Sequence, residues 1–250
     1  MIDRRDLLKL GPVALCAFGL AAVAEAAAPG DGRLSARRWL RRHDELARNL
    51  EAGRITALQW HDGVNDLAGE VDVGEIAALI RKSDWRPPGD RNGNDPPKRF
   101  VRFQDEDGRP AKLAYGVATF SFGPGNVITP HGHKHMVSAH MVVEGKVRIR
   151  TFDRLADAEG GMILRRSLDL VGEPGHAAAM CSAKDNVHWF APRTPHAMTL
   201  DVIIDGLDVG QERYTIQPVD VLAAHNSTDG AFSAPIIGFD ESSERYTANL

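Results

Sequence analysis

The chain of 250 residues is 43% hydrophobic and 26% charged, proportions of an ordinary globular protein rather than a disordered or fibrous one. A net charge of −4, with no long basic run after residue 42, excludes a surface built for nucleic acid. The length suits one moderate domain with an attached helical segment better than two full domains.

Residues 1–28 read as a targeting segment. Arg4-Arg5-Asp6-Leu7-Leu8-Lys9 resembles a twin-arginine export signal, with Leu7 where Phe is commonest. An apolar stretch from Leu10 to Ala24 follows, and Ala24-Glu25-Ala26-Ala27-Ala28 offers small residues for cleavage. Glu25 and the short apolar length argue against an anchor, since a bilayer span needs roughly 20 apolar residues. The expected location is a bacterial periplasm, with no membrane attachment once the signal is removed. Asp3, Arg4, Arg5, Asp6, Lys9 and Glu25 cancel, so the mature charge stays at −4. Cys16 leaves with the signal, and Cys181 alone forms no intrachain disulfide.

A helical segment is expected over 33–85. Trp39, Leu40, Leu46 and Leu50, then Ile55, Leu58, Leu67, Ile76, Leu79 and Ile80, recur at helical spacing. Gly53, Gly63, Gly69 and Gly74 divide it into about three short helices. The Pro-rich stretch 86–98 cannot continue a helix and reads as a linker. From 99 to 218 the texture is of short strands: a hairpin from Phe100 to Phe122, then 127–129, 138–143, 147–152, 162–168, 187–190, 197–204 and 213–216. Turn signals such as Gly123-Pro124-Gly125 and Glu144-Gly145 separate them. A mainly β sandwich or barrel follows. No internal repeat suggests a second one. The polar segment 219–250 reads as a C-terminal arm.

Seven of the ten histidines fall between 131 and 196: His131, His133, His135, His140, His176, His188 and His196. Residues two apart on a strand project from one face, so His131 and His133 can aim two imidazoles at one ion. By the same parity His140 and Ser138 share a face. Arg148 and Arg150 are expected to point outward, and His135 to sit at a bend.

The spacing Gly125, His131, His133, Ser138, Gly145 resembles the first conserved motif of the cupins, with Ser138 where the family has Glu. The resemblance implies a single cupin (double-stranded β-helix, jelly-roll) barrel with one divalent transition metal. A later strand would supply the third ligand. His196, in Pro192-Arg193-Thr194-Pro195-His196, resembles the family's second motif but is one residue short and lacks its Gly. His188, in Asp185-Asn186-Val187-His188-Trp189-Phe190, resembles the Asn-x-His segment of the cysteamine dioxygenases and plant cysteine oxidases, whose following Leu-Asp strand matches Leu200-Asp201-Val202. Ile128-Thr129-Pro130-His131-Gly132-His133 resembles their entry segment. The likeness covers roughly 112–205. His188 is the preferred third ligand and His196 the alternative.

Thiol dioxygenases lack the cupin Glu and hold ferrous iron on three neutral histidines. Full metal charge then favours an anionic thiolate. The resemblance therefore implies Fe(II), with Mn, Zn or Ni as alternatives, and a small-molecule substrate with dioxygen as partners; a homodimer stays open. Ser138 would make room in the barrel mouth. His140 would be a fourth ligand, a proton carrier or a group that orients the ligands, the last preferred. Two other functions compete: a cupin isomerase, hydrolase or decarboxylase, and a non-enzymatic periplasmic metal- or ligand-binding module. Export weighs against a thiol, because reduced thiols are scarce outside the cell.

Overall fold

The computed structural model describes residues 33–83, 95–105, 107–208, 210–226 and 228–247. The export signal expected at 1–28 and most of the linker at 86–98 lie outside the described residues. Three helices come first: α1 (Ala36–Glu51), α2 (Ala57–Glu70) and α3 (Val73–Lys82). Each starts on a side-chain cap. The Ser35 hydroxyl accepts from Arg38 N, Thr56 and Gln59 form a reciprocal capping box, and Asp72 accepts from Gly74 N and Glu75 N. No described helix is long and apolar enough to cross a membrane.

The strands are β1 (Lys98–Phe100), β2 (Gly116–Phe122), β3 (Ile128–Lys134), β4 (Met136–Glu144), β5 (Val147–Ala158), β6 (Gly161–Gly172), β7 (Ala177–Met180), β8 (Val187–Pro192), β9 (Ala197–Asp205), β10 (Thr215–Pro218), β11 (His225–Asn226) and β12 (Ala231–Pro235), followed by α4 (Phe239–Thr247). They form two sheets, one ordered β1-β2-β9-β4-β7 and the other β10-β3-β8-β5-β6-β12-β11. Every named strand pair is antiparallel. The fold is thus mainly β, with N-terminal helices, as the strand spacing predicts.

Alternation along the strands sorts side chains into layers. On β4, Val137, Ala139, Met141 and Val143 join Trp39, Trp60, Ile76 and Ile80 of the helices in one apolar cluster. Burial of Ile76 and Ile80 there is worth about 1.5–3 kcal/mol each. On the opposite face of β4, Val142 packs with Phe122, Ile128, Val147, Ile149 and Phe190 between the sheets. One end of the interior is therefore an apolar plug, and the next inward positions of β4 and β8 are His140 and His188.

Gly145 closes the β4–β5 turn at φ +69°, and a Cβ there would stand 2.2 Å from the His196 carbonyl oxygen, so no other residue fits. Residues past 218, expected as an arm, supply β11 and β12, and β12 pairs with β6. The β structure thus continues beyond the expected boundary at 218. Tyr246 of α4 packs edge-on to Trp189, ring centres 4.9 Å apart, and its hydroxyl bonds Asp220 at 3.0 Å.

Candidate metal centre

A bulge in β3 sets up the site. Ile128 faces Phe190 and His131 faces His188, so β3 spends three residues where β8 spends two. The extra residue switches the pleat, and Ile128 in the plug and His131 and His133 in the site all point inward. His188 stands directly across from His131 in the ladder. Between the two β3 histidines, Gly132 admits close packing of β8: a Cβ would meet Asn186 Oδ1 at 2.8 Å. Asn186 also ties the strands together by donating to the His133 carbonyl at 2.8 Å.

His131, His133 and His188 bring one ring nitrogen each within 4.8 Å of one another, a spacing that can hold a metal ion. Their ring centres lie 4.2–4.9 Å apart. The His131 Nδ1–H donates to the Thr129 carbonyl at 2.8 Å, which leaves Nε2 as the bare donor. Burial lowers the His131 pKa to about 4, against the Thr129 bond and with help from Lys98. Burial likewise holds His133 and His188 well below the usual histidine range, reinforced by neighbouring histidines. All three are neutral at pH 7, with lone pairs converging and no carboxylate in the group. Without a cation these lone pairs would repel one another, so this donor set fits a divalent transition metal.

His140 faces the same space from β4, its ring centre 5.8 Å from that of His188 and between Phe120 and Phe190 at 5.2 and 4.7 Å. Its Nδ1 contacts Thr199 Oγ1 at 3.2 Å, and its Nε2 lies 3.6 Å from Asp201 Oδ1. Burial raises the Asp201 pKa to about 8, with Lys98 opposing, so this carboxyl is protonated at pH 7. Sequence reasoning gave Asp201 no role. Its signal was there: a lone acid amid Leu200, Val202, Ile203 and Ile204, at a position with inward parity.

The alternative ligand His196 is not brought to the group; it is exposed on the β8–β9 loop, beside Gly145. Ser138 is buried with an unpartnered Oγ, across from Met180 and Ile203, and does not line the cavity over the histidines. His135 sits at φ +64° between β3 and β4 and bonds Asp208 at 2.6 Å. Arg150 lies over the Trp189 ring at 3.8 Å. The four inward histidines and Asp201 open into a cavity of about 1060 Å³, whose mouth includes Lys98, Phe100, Tyr214 and Phe239.

No protein-family model matches the chain, and no curated protein does either. Among solved structures it is similar to a sugar phosphate isomerase of the cupin superfamily from Silicibacter pomeroyi, 21% identical over 58% of this chain and 78% of that one, TM-score 0.33. A double-stranded β-helix protein from Klebsiella pneumoniae is 16% identical over 51% and 83%, TM-score 0.33. Oxalate oxidase in complex with glycolate is 14% identical over 52% and 59%, TM-score 0.36. The chain spans less than two thirds of that oxidase, and 22% and 40% of the procruciferin of Brassica napus and the vicilin of Solanum melongena that it also matches. Likeness at this level carries no argument about chemistry, which rests on the site itself.

Proposed function

We propose that the protein is a metal-dependent oxidoreductase, a mononuclear non-haem iron dioxygenase acting on a thiol or a comparably oxidisable small molecule. One observation carries this reading: three neutral imidazoles converge with no carboxylate among them. Ferrous iron held by His131, His133 and His188 would supply the one-electron chemistry that lets dioxygen react with a closed-shell thiol. Conversion of a thiol to a sulfinic acid places both oxygen atoms of dioxygen on sulfur, so no further reductant is needed.

The chain's own groups do the rest. Neutral ligands leave the metal charge uncancelled, which favours an anionic substrate and eases loss of its proton. Protonated Asp201 beside neutral His140 gives the cavity wall a place to hold a proton close to the reacting atoms. Phe120, Phe190 and Ile128 keep that wall dry. If the expected export signal operates, the compartment is oxidising, and the substrate differs from the common cytosolic thiols.

The His140–Asp201 pair also suits proton transfer in a metal-assisted isomerisation, a second reading that needs no dioxygen. Oxygen uptake separates the two. Iron-loaded protein should consume dioxygen with at least one thiol in a series running from cysteamine, cysteine and 3-mercaptopropionate to larger aryl and alkyl thiols. Asp201→Asn should lower the rate by about 10²-fold while metal content stays constant. No uptake with any of these or with larger thiols removes the dioxygenase reading.

A further inference from the structure

The cavity is larger than two- and three-carbon thiols require. At about 1060 Å³ it reaches the top of the range that encloses drug-sized ligands. Its mouth carries three large aromatic side chains from three separate elements: Phe100 of β1, Tyr214 ahead of β10 and Phe239 of α4, exposed by 70%, 50% and 62%. Single exposed aromatics are unremarkable, but three around one opening form an apolar collar.

The charges in the cavity are unevenly matched. Arg213 is taken up by Asp205 at 2.7 Å. Lys98 has no carboxylate within ion-pair distance among the described residues. Its ammonium stands 5.2 Å from the Phe100 ring centre and 5.3 Å from that of Phe120, held by two aromatic rings and otherwise open to the cavity. Phe120 in turn packs against His140 at 5.2 Å, so the cation is joined to the inner site through one aromatic wall.

Resting on the metal-centre reading above, we propose that the substrate is a carboxylate on an apolar or aromatic body, and that Lys98 is the residue that selects its charge. The carboxylate pairs with the Lys98 ammonium, the body lies against Phe100, Phe120, Tyr214 and Phe239, and the far end reaches the three histidines. Glu51 and Asp95 at the rim and Asp201 and Asp205 within are the acids such a substrate passes; Asp205 is taken up by Arg213, burial raises the pKa of both Asp95 and Asp201, and Lys98 is the cation left for the carboxylate.

The test is equilibrium binding of 3-phenylpropionate, 3-phenylpropionamide and propionate to the cobalt-loaded full chain, by calorimetry. The acid should bind about five- to tenfold more tightly than its neutral amide, and propionate should bind more weakly than either. Lys98→Gln should erase the preference for the acid, Lys98→Arg should keep it, and neither should change cobalt content. Equal binding of acid and amide, or a preference that survives Lys98→Gln, overturns the proposal. Failure of the metal reading looks different: the charge preference persists while cobalt binding is indifferent to His131, His133 and His188.

Discussion

His61, in the seam between the helices and the barrel, and His188, in the cavity, are equally hidden at 1% exposure, yet their surroundings push them in opposite directions. Burial opposes charge on both. At His61, bonds to Asp185 at 3.0 Å and Asp62 at 2.9 Å outweigh that cost and raise the pKa. At His188 the neighbours are other histidines, and the pKa falls. One ring becomes a charged fastener between α2 and the segment leading into β8. The other keeps a free lone pair. His43 completes the contrast: tilted against Trp39 with ring centres 4.1 Å apart and neither nitrogen partnered, its pKa lowered to about 3 by burial, it is neutral but alone. Neutrality supplies a donor, and only convergence of several donors makes a site.

The strongest break in this comparison comes at the seam. His61→Ala leaves Asp185 half-partnered, still bonded to Thr151 and Ser167, and should cost about 3 kcal/mol at pH 6 with cobalt binding unchanged. The sign of the pH dependence follows from the two shifts. The raised His61 contributes fully below its unfolded value of 6.5, and that contribution is lost as pH rises through the higher folded value. The lowered Asp185, for which burial is overcome by bonds to His61, Ser167 and Thr151, contributes above its unfolded 3.8 and loses that below it. The difference between wild type and His61→Ala in urea should therefore be largest between about pH 4 and 6.5 and shrink by pH 9. An equal difference at pH 6 and pH 9 would mean the ring is not a charged fastener.

A smaller effect sharpens the other side. His43→Phe removes two unsatisfied nitrogens but adds one ring atom beside a small void lined by Trp39, Val64 and Ala68, so stability should hold within about 1 kcal/mol. A loss well beyond that in thermal unfolding would show that His43 has a polar partner. The least effect is expected of His196→Ala, which removes an exposed ring and should alter neither stability nor metal binding.

Much of this layout was legible in the sequence because it rests on short-range periodicity. Alternation along 138–143 sets His140 on one face with Ser138, and the recurrence of apolar residues from Trp39 to Ile80 marks the helical segment. What escaped depends on long-range pairing. β7 is Ala-Ala-Ala-Met, a poor strand former held by its pairing with β4 and its packing under α2. β12 is a polar segment recruited by the edge of β6. The bulge between Ile128 and His131 is visible only in the pairing with β8. Lys98 lay in a presumed linker, where nothing local distinguishes a cavity cation from a solvated one. His188 and His196 were both plausible ligands because strand registers, not local motifs, decide which one faces His131.

The central claim is that His131, His133 and His188 together hold one divalent metal. Its most direct test is the cobalt bound per chain after equilibrium dialysis, compared across wild type, His131→Ala, His188→Ala, the size-matched His188→Gln, and His196→Ala. One ion per chain is expected in wild type and in His196→Ala, with affinity weakened by more than about 100-fold in the other three. Retention of full affinity without His188, or its loss without His196, would contradict the assignment.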